Sequence, residues 1–251
     1  MIRALLFTRF MFLLAAALAA LPAAAAERVT LTASDGLAVT ADVYPGPGGA
    51  TGPWIVLAHM AGSSRGEYRE IAPRLNRLGY GAIALDQRSG SGFGGVANRT
   101  AAAAASKGKG QGYLDAAPDI EAGIAYARSR TGGPVVLWGS SYSAALALLL
   151  AGERPGLIDG VIAMSPGEYL SGRSVGRAAA HIAVPVLIVS PPAETGQWRH
   201  IYEAVPHDRK AWFTPDRGGR HGSSALIPSQ SPQSEAHWQA VEAFLGRYFR
   251  P

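Results

Sequence analysis

Five short apolar runs most narrow what this chain can become: Trp54–Ala58, Gly81–Leu85, Val135–Trp138, Val161–Met164 and Val186–Val189. Each is too short for a buried helix and lacks the alternation of a half-exposed strand, so each reads as a strand buried on both faces of a parallel sheet. Helical patterns lie between or after them, over 67–78, 115–128, 144–150 and around 198–204. The strand-helix alternation predicts an α/β fold with a mostly parallel sheet and helices on both faces.

Ahead of this series, 28–33 and 38–44 alternate polar and apolar residues around Ser34-Asp35-Gly36, which predicts an antiparallel hairpin. Behind it come 209–213 and an amphipathic helix over about 233–249. The sheet is therefore expected to hold about eight strands, in one domain over 27–251. Two stretches fall outside the alternation. Residues 86–113 are rich in glycine with a poly-Ala tract at 101–105, and read as a long functional or mobile connection. Residues 165–182 form a shorter excursion.

Residues 1–26 read as a secretory signal peptide: Arg3 and Arg9 in a basic start, an apolar run from Met11 to Leu21, and Ala24-Ala25-Ala26 before Glu27. The run is short of the roughly 20 residues that span a bilayer, so no stable membrane association is expected after cleavage, and the product is expected to be periplasmic or secreted. The chain has 0 cysteines, which excludes disulfides, Cys-type zinc sites and lipid attachment at an N-terminal Cys. The net charge is +5, and without Arg3 and Arg9 21 bases face 18 acids. The remaining bases are scattered, and Lys107-Gly108-Lys109 lacks interleaved aromatics, so it reads as a solvated mobile loop and no nucleic-acid partner is expected. The sequence holds no dinucleotide fingerprint and no P-loop, and neither cofactor nor metal is expected.

The chemistry concentrates at Gly139-Ser140-Ser141-Tyr142-Ser143, between a buried run and a small-residue helix start. A nucleophilic serine on a sharp strand-to-helix turn needs small residues two before and two after it. Gly139 and Ser143 meet that need around Ser141, although a second glycine is the usual residue where Ser143 stands. Centring on Ser143 would place two extra residues between strand and nucleophile, and centring on Ser140 would require Trp138 to be small. Ser141 is therefore the favoured nucleophile over a plain helix-capping turn.

A serine hydroxyl is a weak nucleophile until a base takes its proton. His221, in the Gly- and Arg-rich loop after 209–213, is the expected base, and Glu194, just past Val186–Val189, the carboxylate that would orient it. Glu168 is the rival acid. His59, in Leu57-Ala58-His59-Met60-Ala61-Gly62, is expected to shape its turn, and His181, His200, His207 and His237 to have surface or capping roles. Backbone N–H groups of Met60 and Tyr142 are the expected oxyanion donors. Tyr113, Tyr142, Tyr169 and Trp198 are candidate lining for the substrate, with ordinary core packing as the alternative for such aromatics.

Taken in order, the Ser141 turn, the His59-Met60 turn, Asp86-Gln87-Arg88-Ser89-Gly90 and His221-Gly222 resemble the α/β-hydrolase superfamily over nearly all of 28–250. The resemblance is greatest to small serine esterases of the dienelactone-hydrolase-like group. It implies an α/β-hydrolase fold and hydrolysis of a small-molecule or short acyl ester through an acyl-enzyme on Ser141. Dienelactone hydrolases themselves use a cysteine nucleophile, which this chain lacks. Asp86 and Arg88 fall in a segment that is structural in the superfamily. A peptidase or amidase with the same triad, and a non-catalytic binding protein of the same fold, are the two other readings.

Overall fold

The computed structural model describes residues 26–251, so the signal-peptide reading lies outside the described residues. The chain runs β1 (Glu27–Thr32), β2 (Ala38–Tyr44), β3 (Trp54–Ala58), α1 (Ile71–Arg77), β4 (Gly81–Leu85), β5 (Gly92–Phe93), β6 (Val96–Ala97), α2 (Arg99–Ser106) and α3 (Ala117–Arg130). It continues with β7 (Val135–Ser140), α4 (Tyr142–Glu153), β8 (Gly160–Met164), α5 (Val175–Ala179), β9 (Val186–Val189), α6 (Thr195–Ala204), β10 (Lys210–Phe213) and α7 (Ser234–Tyr248).

Eight strands form one sheet in the order β1-β2-β4-β3-β7-β8-β9-β10, with β5 and β6 a separate ribbon. β1 pairs antiparallel with β2 and β2 with β4, and every later neighbour is parallel. Strands β3, β4, β7, β8 and β9 are buried along their whole length, which is why their sequences read as unbroken apolar runs. Their side chains alternate between two cores. Val135 and Leu137 pack with α3, α4, α5 and α6 on one face, and Val136 and Trp138 with α1 and α7 on the other. Each fully buried Val, Leu or Ile in these layers contributes roughly 1.5–3 kcal/mol of transfer free energy.

Helix α4 is buried from Tyr142 to Gly152, with no polar face, so the chain just after the candidate nucleophile is locked into the core. The strand order reverses at β3, where β4 lies to one side and β7 to the other. The carboxyl ends of strands at such a switch, here β3 and β7, are the usual ligand position in sheets of this kind.

Residues 86–113 depart from the expected mobile connection. They hold the β5–β6 ribbon and α2. The Asn98 side chain caps α2 by accepting from the Ala101 N–H at 2.8 Å, and Thr100 Oγ1 accepts from the Thr40 N–H at 2.9 Å. Lys109 is not a free solvated charge either, since its Nζ donates to the Asp35 carbonyl at 2.7 Å. The poly-Ala tract is a helix because Ala has the highest helix propensity and Asn98 supplies the cap, a pairing that the surrounding glycines obscure.

Candidate active site

Ser141 sits between β7 and α4 with φ 58° and ψ −119°, a conformation that costs a non-glycine residue about 1–3 kcal/mol. Packing enforces it: the Ser141 N–H donates to the Met164 carbonyl at 2.8 Å, and its own carbonyl accepts from the Ala144 N–H at 2.9 Å. A side chain at Gly139 would collide with the Ser143 carbonyl, so the turn tolerates only glycine there. Ser143 is fully buried, donating to the His59 carbonyl at 2.7 Å and accepting from Gln87 Nε2 at 2.6 Å. Its hydroxyl is thus committed to tying α4 to the turn after β3. Ser141 is half-buried, and its hydroxyl makes no hydrogen bond among the described residues.

His221 lies in the loop after β10, and its Nδ1 stands 2.8 Å from Glu194 Oε1, just beyond β9. The Glu194 side chain is 15% exposed and its second oxygen is buried without a partner. Hydrogen bonding to the Glu194 carboxylate holds the imidazole proton more tightly than usual and raises the His221 pKa, against the opposing effect of burial. With Nδ1–H committed to Glu194, Nε2 is the nitrogen left to act as a base.

The histidine loop is fastened next to Ser141. The Gly222 N–H donates to Ser165 Oγ at 3.0 Å and the Ser223 N–H to Ser140 Oγ at 2.9 Å. Glu168 stands apart from this arrangement. Its carboxylate accepts from the Val175 N–H at 2.7 Å and the Gly176 N–H at 2.8 Å, capping α5, and it pairs with His200 at 3.2 Å.

His59 shapes its turn, as expected from its position. It is fully buried, donates from Nδ1 to the Met60 carbonyl at 2.7 Å, and accepts at Nε2 from the Gln87 N–H at 2.9 Å. Burial lowers its pKa to about 4, so the ring is neutral at ordinary pH. Asp86 and Arg88 are likewise structural. Asp86 accepts from the Arg65 N–H at 2.9 Å and from Arg65 Nη1 at 2.6 Å, while Arg88 forks onto Asp119 and Asp35, each at 2.7 Å.

Three expected site roles are placed differently, those of the Met60 N–H, Trp198 and the Tyr142 side chain. The Met60 N–H, expected to face an oxyanion, donates at 2.9 Å to Glu67 Oε2 and is already satisfied. The next N–H, that of Ala61, makes no hydrogen bond among the described residues. Ala61 lines a hollow of about 270 Å³ with Gly62, Ser89 and Tyr113. Trp198 does not line the site: it is 1% exposed, donates from Nε1 to Ser190 Oγ at 2.5 Å and packs on Tyr202 and Trp212. An aromatic on the inner face of α6 is core because that face has only the sheet beneath it.

Tyr113 and Tyr169 do come together, lining a second hollow of about 180 Å³ with Leu114 and Ser171. Tyr113 stacks on Tyr142 at 4.4 Å and 19°, which places it one residue from Ser141. The Tyr142 side chain is itself buried, so only its backbone can serve the site. Glu67, Ser140 and Ser165 were not legible as site residues. A glutamate in a helical pattern reads as a solvated face, and serines after buried strands read as loop.

Among the described residues no group of three or more His, Cys, Asp or Glu side chains could hold a metal ion.

A family model described as serine aminopeptidase, S33, matches residues 51–192. No curated protein matches the chain in sequence. An esterase of Pyrococcus furiosus is similar in structure, with a TM-score of 0.68 and 17% identity over 89% of this chain and 93% of that one. The dienelactone hydrolase of Anabaena variabilis has a TM-score of 0.68 and 17% identity over 90% and 98% of the two chains. The acylaminoacyl peptidase of Pyrococcus horikoshii has a TM-score of 0.65 and 14% identity over 90% of this chain but 42% of its own.

Proposed function

The chain belongs to the hydrolase family described as serine aminopeptidase, S33, and from that premise we propose that it cleaves carboxylic esters of small or short-acyl substrates through an acyl-enzyme on Ser141. The observation that carries the reading is the Glu194–His221 pair, 2.8 Å apart, fastened beside a serine held at positive φ. His221 Nε2 takes the Ser141 proton as Oγ attacks the ester carbonyl, and the same proton passes to the leaving alcohol as the C–O bond breaks. Water then attacks the acyl group by the reverse route, and Ser141 recovers its proton. The N–H groups of Tyr142, at an α-helix N-terminus, and of Ala61, in the turn after β3, receive the developing oxyanion. Tyr113 and Tyr169 flank the substrate.

The test is turnover of a short p-nitrophenyl ester together with labelling by a fluorophosphonate. Wild type should hydrolyse the ester and carry the label on Ser141, and undiminished hydrolysis by Ser141→Ala would sink the assignment. A peptidase or amidase activity of the same triad is the second reading, supported by the family description and the likeness to the acylaminoacyl peptidase. Parallel assays of matched ester and anilide substrates separate the two, and folded protein that takes no label points to a binding protein of this fold. Export, the remaining reading of residues 1–26, is checked by cell fractionation and N-terminal sequencing of the product.

A further inference from the structure

Glu67 is fully buried, and its position in a short 3-10 turn over Arg65–Tyr68 gives it no surface role. A buried carboxyl is costly unless it is used, because its desolvation must be repaid by hydrogen bonds. Three separate parts of the site converge on it. Oε2 accepts from the Met60 N–H at 2.9 Å, in the turn that leaves β3. The hydroxyl of Ser140, immediately before Ser141, and the N–H of Ser223, two residues after His221, adjoin the carboxyl, as does the Ser63 hydroxyl. Burial pushes the carboxyl pKa up, and these neighbours draw it back.

His59 is held by Gln87 and Ser143, and the Met60 carbonyl accepts from His59 Nδ1 at 2.7 Å and from the Ser63 N–H at 3.2 Å, but the Met60 N–H is held by Glu67. Without it, the Met60 N–H would be part-buried and unpaired, and the turn would have to shift to satisfy it, carrying the Ala61 N–H with it. Met60 also reaches the histidine loop, since its sulfur lies 3.6 Å from where a side chain on Gly222 would begin.

We propose that Glu67 is a positioning residue, a buried acceptor that takes up the Met60 N–H and so leaves the Ala61 N–H as the donor the turn offers beside the nucleophile. This rests on the serine-hydrolase reading above. Glu67 touches no reacting atom and acts through the residues that surround its carboxyl. The acceptor oxygen is what matters, so glutamine, which keeps a carbonyl in that place, should replace it and alanine should not.

The experiment compares wild type, Glu67→Gln and Glu67→Ala by short-ester kinetics, with rates normalised to titrated active sites, and follows Met60 amide exchange by NMR. Glu67→Ala should lose about 10²-fold in kcat with KM little changed, the penalty of a misplaced oxyanion donor. Glu67→Gln should recover most of that loss. The Met60 amide should be protected in wild type and in Glu67→Gln and exchange freely in Glu67→Ala. Wild-type kcat per active site in the alanine variant overturns the proposal, as does a glutamine variant as slow as alanine with its Met60 amide still protected. The exchange measurement needs no turnover and no folded alanine variant. A rapidly exchanging wild-type Met60 amide overturns the Glu67 claim by itself, whereas an ester-inactive wild type with a protected amide counts against the esterase reading alone.

Discussion

Ser141 and Ser165 occupy the same kind of place one strand apart and are put to opposite uses. Each follows the last residue of a buried parallel strand or stands one beyond it, and each has positive φ, 58° and 54°. Each donates its N–H to the final residue of the next strand, Ser141 to the Met164 carbonyl at 2.8 Å and Ser165 to the Val189 carbonyl at 2.7 Å. Only the hydroxyls differ. That of Ser165 is spent on the Gly222 N–H in a side chain 1% exposed, while that of Ser141 is left free. A strained turn therefore does not make a serine reactive. On the proposed serine-hydrolase reading the unspent hydroxyl of Ser141 is the reactive one, and Ser165 contributes by holding the loop that carries His221.

Breaking the first member of the pair should have the largest effect. Ser141→Ala is expected to lower kcat by about 10⁴-fold or more with the melting temperature nearly unchanged, because the missing hydroxyl bonded to nothing. Steady-state kinetics and calorimetry on one preparation check both halves. Next comes the base. Glu194→Gln should cost about 10³- to 10⁴-fold, since an amide can hold the wrong tautomer of the ring.

The same variant carries a pH test. Glu194 raises the His221 pKa, so kcat/KM should climb with pH through a midpoint above about 6.5, and Glu194→Gln should move that midpoint down. A midpoint that stays put on replacing Glu194 would remove the carboxylate from the mechanism. The stability sign is opposite. A folded-state pKa raised above the unfolded one contributes stability that is fully present below about pH 6.5 and lost as pH rises through the folded value, so the pair stabilises the inactive, protonated enzyme most.

Breaking the second serine should invert the pattern of the first. Ser165→Ala leaves the Gly222 N–H unsatisfied in a buried place, and should cost about 1–3 kcal/mol of stability in denaturant titration, with a fall in kcat nearer tenfold. The smallest effect sharpens the comparison. Ser165→Gly loses the same hydrogen bond but relieves the positive φ, and should be more stable than Ser165→Ala by roughly 1 kcal/mol. Equal stabilities for the two would mean that φ 54° carries no strain here.

What the sequence disclosed follows what each observation depends on. Burial on both faces leaves its mark as a continuous apolar run, so β3, β4 and β9 match the expected runs residue for residue. The elbow was legible because its small-residue demand is local. Glu194 and His221 were legible because chain order places them in successive loops. Glu67, Ser140 and Ser165 make long-range contacts that leave no periodicity, and the Met60 expectation failed on such a contact. Trp198 failed because an aromatic three residues into a helix faces the core or the solvent according to what lies beneath it, which one strand of sequence does not record.

The fastening of α2 has a kinetic consequence. The segment above Tyr113 is pinned by Thr40 at one end, by Lys109 on Asp35 at the other, and by Gln111 Nε2 donating to the Ala101 carbonyl at 2.9 Å between them. On the proposed esterase reading, a segment fastened in this way need not swing aside for substrate, and little ordering entropy is lost on binding. Such an enzyme should saturate hyperbolically with dissolved monomers and show no jump in rate when its substrate begins to form micelles, so emulsified fats would offer it no advantage over molecules in free solution.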